Sequence, residues 1–467
     1  MANAVSDPIK HVIVLMLENR PFDQMLGGMK GATSELDGLE GIDPGLPKRS
    51  NYCEGISYFQ EPGAAYLLNR DPHHEYEHVR MQLNYNNGGF VEDFALSYPA
   101  SSQGDRKQIM RYHALGALPA LHALARNFTV CDHWHASVPG PTWTNRFFVH
   151  SGTSLGRVAM PNGIIDANWH WYDQPTLYDR LNQKGISWRI YYGDIPQSLL
   201  LVHQLEPGNA AHYHRMAQFH QDAATETAFP QYAFIEPTYY APGANDDHPP
   251  HDLRAGQRLI AEVYNAIRAN ETLWQSSLLL VLYDEHGGMY DHVVPPAGPP
   301  LAIPPDHHVE EFSFDRFGVR VPCILVSPWF GKGVLPVVFD HTSLLRYLIC
   351  KWQLGPLGAR AAVANSFASA RLATPREDAP DTIPAAPPTP LIESNDAPPA
   401  VPARPTMSSN QSALIAMSQL LESCSDNGHA DLASRSKRIV TGYDGQVDVG
   451  IERVEQFLAQ QRAKANV

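Results

Sequence analysis

The chain has 467 residues, 43% of them hydrophobic, and its 35 Lys and Arg against 49 Asp and Glu leave a net charge of −14. That size allows a large core, enough for one big α/β domain or two ordinary ones. The acidic balance excludes the usual nucleic-acid binder, which needs clustered basic residues, and offers no polybasic anchor for an anionic membrane.

The five cysteines, Cys53, Cys131, Cys323, Cys350 and Cys424, are scattered and odd in number, so neither a disulfide framework nor a thiolate metal site is indicated. The first residues show no basic stretch followed by an apolar one, and no run approaches the roughly 20 apolar residues of a membrane span. The expectation is no transmembrane segment, and a cytoplasmic location by default or export by a route without an N-terminal signal.

Taken in order, residues 9–17 are β-branched and almost continuously apolar, the pattern of a buried parallel strand. The run ends in Glu18 and Asn19, and in open α/β sheets functional groups collect just past the carboxyl ends of strands. Residues 27–70 are rich in Gly, Pro and polar residues and read as loop. His74 and His78 are four apart, a spacing that places both on one face of a helix. Residues 115–125 read as a core helix, and residues 127–132 as a short strand.

Next comes a forced turn. Pro139, Gly140 and Pro141 restrict and redirect the backbone, and Thr142 then opens a helix through Asn145 and Arg146. A hydroxyl there lies near unpaired backbone N–H groups that favour anions, so Thr142 is a candidate nucleophile toward phosphorus. The plainer alternative is a helix cap.

Further on, residues 176–184 read as helix, 186–192 as strand, 210–219 as helix and 231–237 as strand. Trp169, His170 and Trp171 are candidates to wall a pocket. His248 is fixed in a loop by Pro249 and Pro250, and residues 254–269 form an amphipathic helix. Residues 276–283 are the most strand-like run in the chain. They deliver Asp284, Glu285, His286, Gly287 and Gly288, a metal-site pattern in which glycines let several side chains converge. Another strand is expected over residues 319–327, and Asp340 and His341 open a helix continuing over 344–352.

Near residue 373 the composition changes. Residues 374–407 are Pro-rich, a linker or extended arm. Residues 408–423 and 447–463 then read as amphipathic helices that dock on the body, join copies into a homo-oligomer or bind a partner. The expected division is therefore a catalytic domain over 1–373, a linker over 374–407 and a helical segment over 408–467.

The oxygen set Glu18, Asn19, Asp284 and Glu285 favours a hard divalent metal ion, Ca2+, Mg2+ or Mn2+, with Zn2+ admissible if a His joins. No dinucleotide fingerprint, P-loop or serine-esterase elbow stands in a fitting context.

In sum these motifs resemble a family. They are residues 14–23 through Glu18, Asn19 and Asp23; residues 137–142 with Asn145 and Arg146; Glu236 and Pro237 with residues 247–250; residues 283–288 with Asp291 and His292; and residues 340–343. The chain is similar to the bacterial phosphoesterases that include phosphatidylcholine-hydrolysing phospholipases C, plant non-specific phospholipases C and a respiratory-burst-inhibiting acid phosphatase. The resemblance implies an alkaline phosphatase-like α/β fold, a central mostly parallel sheet between helices. It places Glu18, Asn19, Asp284 and Glu285 on metal positions and Thr142 on the nucleophile. His74 and His248 fall on phosphate-contacting or acid/base positions. Asn145, Arg146, His286 and His341 are candidate substrate-binding residues beside them. Thr144 stands where many relatives carry Pro. The implied substrate is a phospholipid, with a small phosphate ester, a phosphomonoester, as the alternative. A non-catalytic partner-binding protein is the reading from another class.

Overall fold

The computed structural model describes residues 7–33, 35–39, 49–160, 172–225, 229–240, 243–301, 312–388, 408–427 and 447–465. Its central strand is the first apolar run: β1 (His11–Leu17) is buried at all seven positions. In chain order the other strands of its sheet are β2 (Thr129–Val130), β3 (Trp188–Tyr192), β4 (Tyr213–Arg215), β5 (Tyr232–Glu236), β6 (Ser277–Tyr283), β7 (Cys323–Val326) and β8 (Gly333–Val334). In space they run β8-β2-β7-β6-β1-β5-β3-β4. Only β7 is reversed, pairing antiparallel with β6 and β2, while every other pairing is parallel. The fold is therefore α/β with a mostly parallel central sheet. Every residue of β1, β5 and β6 is buried, so both sheet faces are covered, which is why these strands read as unbroken apolar runs rather than alternating ones.

The register sets up the site. Leu17 lies opposite Tyr283, so the next residues, Glu18 and Asp284, leave adjacent strand ends together. Glu236 ends β5 on the other side of β1. Three buried strands thus deliver carboxylates to one edge of the sheet.

Helix α1 (Thr142–Ser151) is buried along its whole length and packs beside α3 (His341–Trp352). Asp340 caps α3 through a reciprocal box with Ser343. Helix α2 (Leu253–Arg268) buries Leu259, Ile260, Val263, Tyr264 and Ile267 on one face. The Pro-rich residues up to 388 lie extended along α2, where Asn265 exchanges hydrogen bonds with Ile383 in both directions, at 3.2 and 2.9 Å. Helices α4 (Ser409–Asn427) and α5 (Val447–Ala465) then return to the body. Leu414, Ile415, Met417, Leu421, Val454, Phe457 and Leu458 join the main core cluster. Each such side chain contributes roughly 1.5–3 kcal/mol on full burial, so the apolar faces of these helices are used within the chain.

Two expectations need correction. Residues 210–219 are not one helix: Tyr213–Arg215 is an edge strand parallel to β3, and the helix that follows is Met216–Ala224. Tyr213 is wholly buried, and pairing at an open sheet edge outweighs a weak helical pattern. His74 and His78 do not share a helix face, because the helix is Tyr76–Gln82 and His74 lies in the extended approach to it. His73 instead stacks on His78 at 4.5 Å, and His74 turns inward. The candidates Trp169, His170 and Trp171 lie outside the described residues. Among the described residues no helix is long and apolar enough to cross a membrane.

Candidate active site

Thr142 is the first residue of α1 and is fully buried. The turn before it is braced by its own helix. The Asn145 Oδ1 accepts from the Val138 N–H at 3.0 Å, and its Nδ2 donates to the Gly140 carbonyl at 2.8 Å. The Thr144 hydroxyl donates to the Pro141 carbonyl at 2.9 Å. Thr144 therefore ties the corner by a hydrogen bond, and Asn145 faces the turn.

The Thr142 hydroxyl donates to Asn19 Oδ1 at 3.4 Å. Asn19 is the hub of the site. Its backbone is left-handed, φ 58°, a conformation Asn tolerates better than most residues. Its N–H donates to Asp284 Oδ1 at 3.1 Å, and its Nδ2 lies 3.0 Å from His74 Nε2. The two glycines after Glu285 make this convergence feasible. A Cβ on Gly287 would lie 2.2 Å from the Asn19 carbonyl oxygen, and one on Gly288 would lie 2.5 Å from that of His73.

Arg146 stands one turn after Thr142 and lies between the acids. Its Nε donates to Asp284 Oδ2 at 3.0 Å, and its Nη2 lies 3.2 Å from Glu18 Oε1. The Tyr239 ring covers the guanidinium at 5.7 Å. Arg146 is thus the counter-ion of two acids read from the sequence as metal ligands. His341 donates from Nε2 to the Asp284 carbonyl at 2.7 Å and accepts from Trp134 Nε1 at 3.2 Å. Both its nitrogens are engaged inside the protein, and burial holds its pKa down at about 4. His286 is buried between an acid and an amide, its Nδ1 3.3 Å from Glu285 Oε2 and its Nε2 2.8 Å from Gln82 Oε1.

Electrostatics mark the centre. Burial raises the Glu18 carboxyl well above its usual range, against the pull of Arg146. Burial likewise raises Asp284 to about 7, opposed by Arg146 and reinforced by Glu285. Glu285 Oε1 is buried and has no hydrogen-bond partner, and a buried carboxylate oxygen left so is costly. Glu18 and Asp284 thus face one guanidinium, while Glu285 Oε1 has His74 Nε2 at 3.9 Å. Burial works to lower the His74 pKa, but Glu285, Asp71 and Glu75 together raise it to about 10. His248 is the opposite case, lowered well below the usual value by burial and by His74. Its ring meets His74 edge-on at 5.8 Å, and its Nε2 lies 3.7 Å from Asp71.

The chemistry of this donor set suits a divalent cation, although the ligand atoms of Glu18, Asp284 and Glu285 do not all lie within 4.8 Å of one another. The donors are hard oxygens, and Glu285 Oε1 has no hydrogen-bond partner among the described residues, with His74 Nε2 standing at 3.9 Å. Two tighter groups of ligand-type atoms lie elsewhere, at His73, Glu75 and His78, and at Asp23, Asp291 and His292. In the second, Arg320 already donates to both Asp23 and Asp291, each at 2.9 Å.

Several site residues were not singled out from the sequence. Gln197 donates to Glu18 Oε1. Asp71, raised to about 7 by burial, borders both His74 and His248. The Asp246 carbonyl accepts from the Glu18 N–H at 2.7 Å. Asn410, from the far end of the chain, donates to Glu18. Of these only Asn410 had a local signal, since Ser408 and Gln411 have capping-box spacing ahead of an apolar run.

A model of the Phosphoesterase family matches residues 9–355. The chain is 36% identical to non-specific phospholipase C6 of Arabidopsis thaliana over 413 residues, 82% of this chain and 76% of that protein. It is 27% identical to phospholipase C B of Mycobacterium tuberculosis over 391 residues, 73% of this chain and 72% of that protein. Among solved structures, it is similar to a protein in the alkaline phosphatase superfamily from Vibrio parahaemolyticus, with 10% identity, 52% of this chain and 62% of that chain covered, and a TM-score of 0.31. A likeness that slight carries no argument about the site. The sequence matches make this protein a hydrolase acting on phosphoric ester bonds. It belongs to the phosphoesterase family.

Proposed function

We propose that the protein is a metal-dependent, phospholipase C-like enzyme that cleaves a phospholipid on the glycerol side of phosphorus through a phosphothreonine intermediate at Thr142. The observation that carries this reading is the contact of the Thr142 hydroxyl with Asn19, whose backbone is fixed on Asp284 and whose amide meets His74. Four distant segments meet at Asn19, one of them carrying the Thr142 hydroxyl. The named activity of the relatives supports the phospholipid as substrate.

Glu18, Asn19, Asp284 and Glu285 would hold the cation, which supplies Lewis acidity that lowers the pKa of the Thr142 hydroxyl and polarises a phosphoryl oxygen. The Thr142 hydroxyl gives up its proton to solvent as its oxygen attacks phosphorus, and the bond from phosphorus to the glycerol oxygen breaks. His74, whose pKa Glu285, Asp71 and Glu75 raise, gives its proton to the departing alkoxide. Water then attacks the phosphothreonine and yields a proton to His74. The phosphorus–Thr142 bond breaks, Thr142 takes a proton back from solvent, and the phosphorylated head group is released. His248 and Asp71 flank His74. Arg146 and His341 keep Asp284 in place, and Asn145 keeps the nucleophile's turn.

A phosphomonoester substrate would use the same core with different pocket walls. Side-by-side assay of phosphatidylcholine, a choline phosphodiester and a phosphomonoester, with Mn2+ and with chelator, tests the reading. Turnover of phosphatidylcholine that chelator abolishes is expected. Equal turnover in chelator refutes the metal role, and hydrolysis of the monoester alone refutes the substrate.

A further inference from the structure

The start of α4 enters the site. Ser408 and Gln411 form a capping box: the Ser408 Oγ accepts from the Gln411 N–H at 3.1 Å, and the Gln411 Oε1 accepts from the Ser408 N–H at 3.0 Å. Gln411 is in turn pinned to the loop after β5. Its Nε2 donates to the Tyr239 carbonyl at 2.6 Å, and its own carbonyl accepts from the Tyr240 hydroxyl at 2.7 Å. This fixes Asn410, only 3% exposed, in the first turn of the helix. The Asn410 Nδ2 donates to both oxygens of Glu18, at 3.2 and 3.3 Å. Its Oδ1 accepts from Trp143 Nε1 at 2.8 Å. Trp143 directly follows Thr142.

We propose that Asn410 is a positioning residue of the hydrolytic site, through which the C-terminal segment holds the Glu18 carboxylate and the turn of the nucleophile in one fixed relation. The inference rests on the reading of Glu18 as a metal ligand. One amide, brought back from 392 positions away in sequence, spans a cation ligand and the neighbour of the attacking hydroxyl. A carboxylate held by forked donation has a fixed plane, and second-sphere partners of this kind tune metal ligands strongly. Without the amide, Glu18 keeps Arg146 and Gln197 on Oε1 but, among the described residues, has no donor on Oε2. Trp143 loses a buried acceptor at the same time.

The test uses the full-length chain. Asn410→Leu keeps the bulk and removes the amide, Asn410→Ala removes both, and Asn410→Gln keeps an amide on a longer stem. Mn2+ binding is measured by calorimetry on folded protein, alongside kcat, KM and the metal-free Tm. Asn410→Leu and Asn410→Ala are expected to weaken Mn2+ binding by about 10–100-fold and to lower kcat by a similar factor, with KM changed less than threefold. Asn410→Gln falls between them and the parent. A structural role alone would lower Tm and leave Mn2+ affinity unchanged. If Asn410→Leu does not fold, Asn410→Ala and Asn410→Gln decide. Variants that match the parent within twofold in Mn2+ affinity and kcat overturn the inference and leave Thr142 and the metal reading standing. A parent chain that binds no divalent cation overturns both.

Discussion

Two buried charge clusters grow from the same two stretches of chain, and they are resolved in opposite ways. One holds Glu18, Asn19, Asp284 and Glu285. The other holds Asp23, five residues past Glu18, and Asp291 and His292, a few residues past Glu285. In the second cluster every carboxylate oxygen has a donor. Arg320 donates to Asp23 and Asp291, His292 and Gln60 reach Asp23, and the Asp23 N–H reaches Asp291. Burial pushes Asp23 up, but His292 and Arg320 outweigh it and the group ends below its usual value. Asp291, with Asp23 close by, stays raised by burial. In the first cluster one guanidinium meets two carboxylates, Glu18 and Asp284, both raised, while Glu285 Oε1 has His74 at 3.9 Å and no hydrogen-bond donor among the described residues. The difference teaches what each is for. A cluster whose carboxylate oxygens all have donors is closed, whereas the one with a carboxylate oxygen left over is where the proposed cation would bind.

The largest expected effect breaks the comparison at the reacting end. Thr142→Ala should lower kcat by about 10⁴-fold or more, as loss of a nucleophile does, while Mn2+ affinity and Tm stay near the parent. Steady-state kinetics with thermal melting checks this. Arg320→Met should be the most destabilising change, about 3–5 kcal/mol, because it leaves Asp23 and Asp291 buried without their counter-ion. Urea unfolding reads the loss, and metal affinity of the folded fraction should not move.

Asp284→Asn sharpens the contrast. It removes a charge that burial disfavours, so the metal-free Tm at pH 8 should rise by a few degrees. The rise in Tm on adding Mn2+ should disappear, and a variant that kept it would remove Asp284 from the cation site.

The smallest effect is a pH dependence of the closed cluster. Burial works to lower the His292 pKa, but Asp23 and Asp37 raise it to about 9. A His with a raised folded pKa contributes stability that is complete below its ordinary value near 6.5 and is lost as pH rises through about 9. Unfolding free energy should therefore decline by roughly 1.4 kcal/mol per pH step across that window. In His292→Asn the slope should flatten.

Much of the arrangement was legible in the sequence wherever a buried strand announced its own end. The run before Glu18 and the run before Asp284 could only be central strands, and strand ends in such sheets carry function. The two prolines and glycine before Thr142 marked its corner for the same kind of reason, a local constraint visible in residue type. Partnerships were not legible. Nothing local tells that Arg146 turns to acids, that His341 holds a backbone carbonyl, or that Arg320 closes the neighbouring cluster, because each pairing spans more than 25 residues and depends on strand order. The edge strand Tyr213–Arg215 was hidden because three residues carry no period. Asn410 was hidden because a Pro-rich stretch separates it from every other site residue.

Acid-quenched single turnover on phosphatidylcholine, followed by peptide mass spectrometry, tests the central claim most directly. The account predicts a phosphocholine ester on the peptide carrying Thr142, formed and lost at rates consistent with kcat and missing without metal. Full-rate turnover with Thr142 unmodified throughout, or the ester on another side chain, would contradict it.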